Sequence, residues 1–81
     1  MKYQLYTTKT YMGIWKLSLV INGNYFTDID RLSHYLRMID LINDKNEFKK
    51  IVKTLNFSTE DKMNQAKDYL DALLIFGKLI S

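Results

Sequence analysis

Apolar and polar residues alternate along the first third of the chain, which is typical of β-strands with one buried face. The alternation is clearest in the second of these runs, where one side carries Trp15, Leu17, Leu19 and Ile21. Asn22-Gly23 follows directly, and this pair favours a two-residue type I′ turn because both of its positions need positive φ. The pattern predicts an antiparallel hairpin or three-stranded meander with strands over about 3–10, 14–21 and 24–27.

A two-residue turn would also fix which side chains share a face. It sets Leu19 opposite Phe26, so that Phe26 joins the apolar side, and it sets Val20 opposite Tyr25. The other face then carries Lys16, Ser18, Val20 and Tyr25. The first strand would add Lys2, Gln4, Tyr6 and Thr8 to this second face if its register agrees.

After the third strand the apolar residues recur every third or fourth position, which is the spacing of amphipathic helices. This spacing predicts helices over about 28–42, 45–55 and 59–76. Each helix is preceded by a side chain that can accept hydrogen bonds from the first-turn backbone, namely Thr27, Asp44 and Ser58. We predict one α+β domain over 1–81, in which the N-terminal sheet packs against three C-terminal helices.

Composition limits the classes of site that the chain can build. With 81 residues it has room for a thin core, and with no cysteine and one histidine it offers neither a disulfide nor a histidine-based metal site. No apolar run approaches the roughly 20 residues that span a membrane, and the N-terminus lacks the pattern of a signal peptide. We expect a cytoplasmic protein that uses no cofactor, no metal and no membrane.

Groups suited to catalysis are scarce. Ser33 and His34 are adjacent, so on a helix they point about 100° apart and cannot form a nucleophile–base pair. Asp28 and Asp30 are explained by the start of the first helix. The three glycines stand apart, which excludes a glycine-rich phosphate loop. We predict that the protein is not an enzyme, unless two subunits combine their groups.

The formal net charge of +3 is unevenly distributed, because residues 1–26 contain three lysines and no acidic residue. The candidate partner-binding residues are Tyr6, Lys16 and Tyr25 on the sheet, and Lys45, Lys49 and Lys53 along one face of the middle helix. Tyrosine and lysine together suit a protein interface or single-stranded nucleic acid. The same residues also suit an ordinary solvated surface, and the sequence leaves these interpretations open.

The last predicted helix has more apolar residues than one buried side requires. Tyr69 and Phe76 belong to a second apolar stripe beside the one expected to face the core. Such a surplus either wraps a thin core or binds a second copy of the chain. A homodimer is therefore one of the assemblies that the sequence suggests.

The hypothesis that we rank first is a small non-enzymatic protein that occludes a site on a larger protein. Abundant Lys, Ile, Asn and Tyr, with no Pro, indicate an AT-rich genome, such as that of a low-GC bacterium, its phages or some eukaryotic parasites. By analogy with short single-domain proteins that occlude a site on a larger protein, we favour a phage or mobile element of a low-GC bacterium. Inhibition of a host or defence factor, as anti-CRISPR proteins perform it, is the concrete form of this hypothesis. The alternatives are a nucleic-acid-binding accessory protein and a homo-oligomeric assembly protein.

Overall fold

The chain begins with an antiparallel sheet and continues into three helices, which confirms the predicted α+β arrangement. The computed structural model describes residues 1–80. Its elements are β1 (Tyr3–Lys9), β2 (Trp15–Ile21), β3 (Asn24–Phe26), α1 (Ile29–Met38), α2 (Lys45–Ile51), β4 (Asn56–Phe57) and α3 (Glu60–Ile80). Strand β2 lies between β1 on one side and β3 with β4 on the other.

The hairpin between β2 and β3 has the predicted turn and register. Asn22 and Gly23 take φ of 52° and 83°, as a type I′ turn requires. Leu19 lies opposite Phe26 and Val20 opposite Tyr25. The register of β1 against β2 places Gln4, Tyr6 and Thr8 opposite Val20, Ser18 and Lys16. The first strand therefore adds its even-numbered side chains to the face that carries Lys16.

The prediction that the middle helix runs over 45–55 is wrong at its C-terminal end. Asp44 caps α2 as expected, but the helix ends at Ile51 and Val52 is already extended. The next residues run alongside β2, where Leu17 N–H donates to the Leu55 carbonyl at 2.9 Å and β4 forms. Pairing with β2 thus replaces the last helical turn, while Val52 and Leu55 are still buried.

The first helix ends four residues before its predicted end. Asp40 takes a positive φ of 60°, and Leu41 N–H donates to the Leu36 carbonyl while Asp40 N–H donates to that of Arg37. This pair of hydrogen bonds is a Schellman motif, which terminates a helix. An aspartate takes the left-handed position that glycine usually occupies.

The third helix extends past its predicted end, through Gly77 to Ile80. Its cap is Thr59, whose Oγ1 accepts from Lys62 N–H at 3.2 Å, one residue after the predicted Ser58. The first helix is likewise capped one residue late, by Asp28, whose carboxylate accepts from Asp30 N–H. Gly77 is buried within α3 and does not cap it.

One face of the sheet carries the core. Leu17, Leu19 and Ile21 of β2 are almost fully buried, together with side chains from all three helices. The helices cover this inner face and leave the other face of the sheet open. Within residues 1–80, none of the helices is both long enough and apolar enough to cross a membrane.

Candidate partner-binding surface

The uncovered face of the sheet brings together three of the predicted partner-binding residues. In antiparallel pairs, opposite residues share a face, so Tyr6 lies with Ser18, Lys16 with Thr8, and Tyr25 with Val20. We call this surface the outer face, and it consists of Gln4, Tyr6, Thr8, Lys16, Ser18, Val20 and Tyr25. Tyr6, Lys16 and Tyr25 are exposed, and the Tyr6 hydroxyl donates to the Gln4 side chain.

A hollow of about 350 Å³ lies on the outer face between β3 and β4. Its lining comprises Thr8, Lys16, Leu17, Ser18, Tyr25, Thr27 and Asn56. The hydroxyls and the Asn56 amide can donate and accept hydrogen bonds, and Lys16 adds one positive charge. This chemistry suits a polar or acidic side chain of a partner.

The turn between β1 and β2 presents apolar side chains that the sequence pattern did not single out. Tyr11 is 99% exposed and Met12 76% exposed. Three hydrogen bonds order the turn: Gly13 N–H to the Thr10 carbonyl, Thr10 N–H to the Ile14 carbonyl, and Ile14 N–H to Thr10 Oγ1. We call residues 10–14 the tip. An ordered turn holds Tyr11 and Met12 in solvent, at the end of a long hairpin.

The sequence contains a weak signal for the tip. The predicted strands over about 3–10 and 14–21 leave a break that contains Gly13, and in the structure Gly13 takes a positive φ of 84° within a turn. Local pattern alone does not separate an exposed Tyr from a buried one, because tyrosine is common in both places. The sequence therefore predicts a turn at the tip, but it does not predict that the tip exposes apolar side chains.

The electrostatics of this part of the chain are set by lysines. Strands β1, β2 and β3 contain no acidic residue, and Lys16 projects from the outer face. Near the tip, Lys9 Nζ lies 5.2 Å from the centre of the Trp15 ring, a cation–π distance. Because Lys9 and Trp15 are paired at odd positions, they lie on the opposite side of the hairpin from Lys16.

The three lysines predicted to form a row on the middle helix do not do so. Lys53 lies beyond the end of α2 at Ile51 and therefore leaves the helix face that Lys45 and Lys49 share. Lys49 Nζ forms an ion pair with Asp30 Oδ1 at 2.6 Å, which ties α2 to the first turn of α1. The expected row of free positive charges is thus broken at two of its three positions.

The two residues predicted for self-association have different environments. Tyr69 is half-buried, and its ring centre lies 6.3 Å from that of the core residue Phe48. Phe76 is 55% exposed. Tyr69 therefore packs at the margin of the core, while Phe76 remains available for contact with another molecule.

Elsewhere, the side chains that could take part in catalysis or metal binding either form hydrogen bonds within the fold or are isolated from one another. Ser33 is buried, and its hydroxyl donates to the Asp30 carbonyl at 2.9 Å, while the neighbouring His34 is exposed. Over residues 1–80, no three His, Asp or Glu side chains lie close enough to hold a metal ion. An open cleft of about 400 Å³ beside α1 is mostly apolar, with Phe26, Arg31, His34 and Tyr35 among its lining residues.

Comparisons with known proteins returned no match among family models, curated proteins or solved structures. A function for the chain therefore has to be argued from its own surfaces. The outer face and the tip are adjacent, since the tip directly joins the two strands that carry Tyr6 and Lys16. We treat them together as the candidate binding surface.

Proposed function

We propose that the protein acts by binding a larger protein through the outer face and the tip. The observation that carries the proposal is the ordered tip, which holds Tyr11 almost entirely, and Met12 largely, in solvent. Tyrosine is enriched among the residues that dominate binding energy at protein interfaces, and methionine adapts to irregular apolar pockets. An ordered turn also limits the conformational entropy that is lost on binding.

The outer face supports the same proposal with different chemistry. Tyr6 and Tyr25 are amphipathic, and the hollow beside Lys16 offers hydrogen-bonding groups and one positive charge. Protein interfaces combine apolar anchors of the kind found at the tip with a polar surround of this kind. A partner with an apolar pocket beside an acidic or polar patch would complement both parts.

Single-stranded nucleic acid is the second candidate, and the absence of acidic residues from β1, β2 and β3 favours it. Tyrosines on a sheet can stack with bases, and lysines attract phosphates. However, the outer-face strands offer few cations, and the α2 lysines do not extend them as a row. The exposed Met12 side chain is apolar, so it would contribute nothing to phosphate binding. We therefore rank a protein partner first.

Occlusion of a functional site is the form of binding that we propose. A small protein can act on a larger one without catalysis, by covering a surface that the larger one needs. Inhibition of a bacterial host or defence protein by a phage or mobile-element product remains our concrete hypothesis. A tip that inserts into a cleft, with a sheet face beside it, would suit this role.

The test begins with capture of partners from bacterial extract on the immobilised protein, followed by identification by mass spectrometry. Affinity is then measured with the purified partner. We expect Tyr11→Ala and Tyr25→Ala to weaken binding by about 30-fold or more each, the usual loss at an interface hot spot. The matched control is Ile51→Ala, which truncates an exposed apolar residue on α2 and should leave affinity unchanged.

A single-stranded DNA oligonucleotide provides the competing measurement. Nucleic-acid binding, the second candidate, would be favoured if the affinity for DNA falls steeply with salt. It should also fall in Lys16→Ala and Tyr25→Ala and stay unchanged in Tyr11→Ala. A protein partner whose affinity is unaffected by Tyr11→Ala and Tyr25→Ala would contradict the proposed surface.

A further inference from the structure

The C-terminal part of α3 carries an apolar stripe exposed to solvent. Helical geometry, at about 100° per residue, places the following residues on one side: Ala72, Ile75, Phe76, Leu79 and Ile80. All five are exposed, with Phe76 at 55% and Leu79 at 80%. We call these five residues the stripe. Over this length of α3, the stripe contains no charged side chain.

The core of the same molecule cannot cover the stripe, because α3 already uses its opposite side for that purpose. Leu70, Leu74 and Gly77 lie on the opposite side and are buried. A Cβ built at Gly77 would lie 2.7 Å from Leu41 Cδ1, so the helix approaches the loop after α1 very closely. This close packing anchors the last turns of α3, and the stripe is presented on a fixed helix.

We propose that the stripe binds the stripe of a second copy of this chain. Four large side chains of the stripe are about 44–80% exposed, so its exposed parts amount to roughly 500 Å² per copy. Complete burial of both stripes would remove about 1,000 Å² in total from solvent, which is at the threshold for a specific interface and below the size of most stable ones. We therefore expect a weak dimer that forms at high concentration.

An antiparallel pair with its two-fold axis beside Phe76 matches the stripe to itself. Each Phe76 then meets its symmetry mate, and Ala72 of one copy lies opposite Ile80 of the other. Small residues opposite large ones allow two helices to interlock. Since no charged side chain belongs to the stripe, the contact joins only apolar side chains.

The dimer is independent of the proposed partner-binding function. Helix α3 covers the inner face of the sheet, whereas Tyr6, Lys16 and Tyr25 project from the outer face. A dimer through the stripe leaves both outer faces open. Two copies would present two binding surfaces to one target, which raises avidity when the target has two sites.

Sedimentation equilibrium over a series of concentrations tests the proposal on the full chain. We expect the wild type to change from monomer to dimer mass as concentration rises. Phe76→Glu should raise the dissociation constant by about 30-fold or more, since it places a charge at the centre of the interface. Ile51→Glu makes the same change at an exposed apolar residue outside the stripe and should leave the equilibrium unchanged.

Cysteine cross-linking gives a second readout, because the natural chain contains no cysteine. Phe76→Cys should form a disulfide-linked dimer on mild oxidation, since the two-fold axis brings this position next to its mate. Met38→Cys, at an exposed position on α1 outside the stripe, should still dimerise but should form no disulfide-linked dimer. A wild type that stays monomeric at every concentration, or equal cross-linking of the two cysteine variants, would overturn the proposal.

Discussion

The two faces of β2 are built from neighbouring residues but have different surroundings. Leu17, Leu19 and Ile21 on the inner face are at most 1% exposed, whereas Lys16 on the outer face is exposed and Val20 is half-buried. The inner side chains must fill a space shared with three helices. The outer ones meet solvent, so their chemistry is less constrained by packing. Stability should therefore depend on the odd positions of this strand and binding on the even ones.

Truncation at neighbouring positions is the strongest test of this difference. Leu19→Ala removes a fully buried side chain and should lower the free energy of unfolding by about 2–5 kcal/mol. Val20→Ala, one residue away on the outer face, should lower it by less than about 1 kcal/mol. Urea unfolding followed by circular dichroism measures both. Similar losses for the two variants would show that the outer face is also packed against another part of the protein.

The turn between β2 and β3 sets which side chains lie on each face, and it provides the next test of the comparison. Gly23 takes a φ of 83°, and no atom lies within 4 Å of a Cβ built there. Gly23→Ala therefore tests backbone conformation without a steric clash, and we expect a loss of about 1–2 kcal/mol. Asn24→Ala, in the extended strand that follows, is the control and should change the free energy of unfolding far less.

The register should survive the Gly23 substitution even though stability falls. A slip by one residue would move Phe26 from the core to solvent and expose Tyr25 to the helices. Amide cross-strand nuclear Overhauser effects between β2 and β3 report the register directly. A changed pattern in Gly23→Ala would mean that the turn, and not the buried face, determines the pairing.

The parts of the fold that local sequence predicts are those governed by local chemistry. Asn22-Gly23 identifies the hairpin because positive φ at both positions is a property of those two residues. Asp44 identifies the start of α2 because its carboxylate accepts from the backbone of the next turn. Alternation in β2 and β1 likewise assigns Tyr6 and Lys16 to one face.

The parts that it does not predict depend on contacts distant in sequence. Phe48, Val52 and Leu55 have helical spacing, yet Leu55 leaves the helix because its carbonyl pairs with Leu17 in β2. Exposure also depends on distant contacts: the gap between the predicted strands places Tyr11 in a turn, but it does not show that the side chain lies in solvent. The sequence therefore predicts the sheet residues of the candidate surface and the turn at the tip, but not the exposure of Tyr11 and Met12.

The smallest effect that we predict compares two tyrosines on the two sides of β1. Tyr3, on the inner face, donates its hydroxyl to Asp71 Oδ1 at 2.9 Å, while Tyr6 on the outer face donates to Gln4 in solvent. Tyr3→Phe should lower the free energy of unfolding by about 1 kcal/mol at neutral pH. Tyr6→Phe should leave it nearly unchanged, since water replaces the lost hydrogen bond.

The free energy of unfolding at alkaline pH should separate Tyr3 from Tyr6 further. Burial, together with the hydrogen bond to Asp71 and the charge of that carboxylate, raises the pKa of Tyr3 above its ordinary value of 10.0. At a pH well below 10.0, Tyr3 is neutral in both the folded and the unfolded chain. Above it the unfolded chain loses the proton first, so the free energy of unfolding falls until the pH passes the raised pKa. Tyr3→Phe should reduce this alkaline loss and Tyr6→Phe should not. Equal slopes of stability against pH in wild type and Tyr3→Phe would exclude Tyr3 as the responsible group.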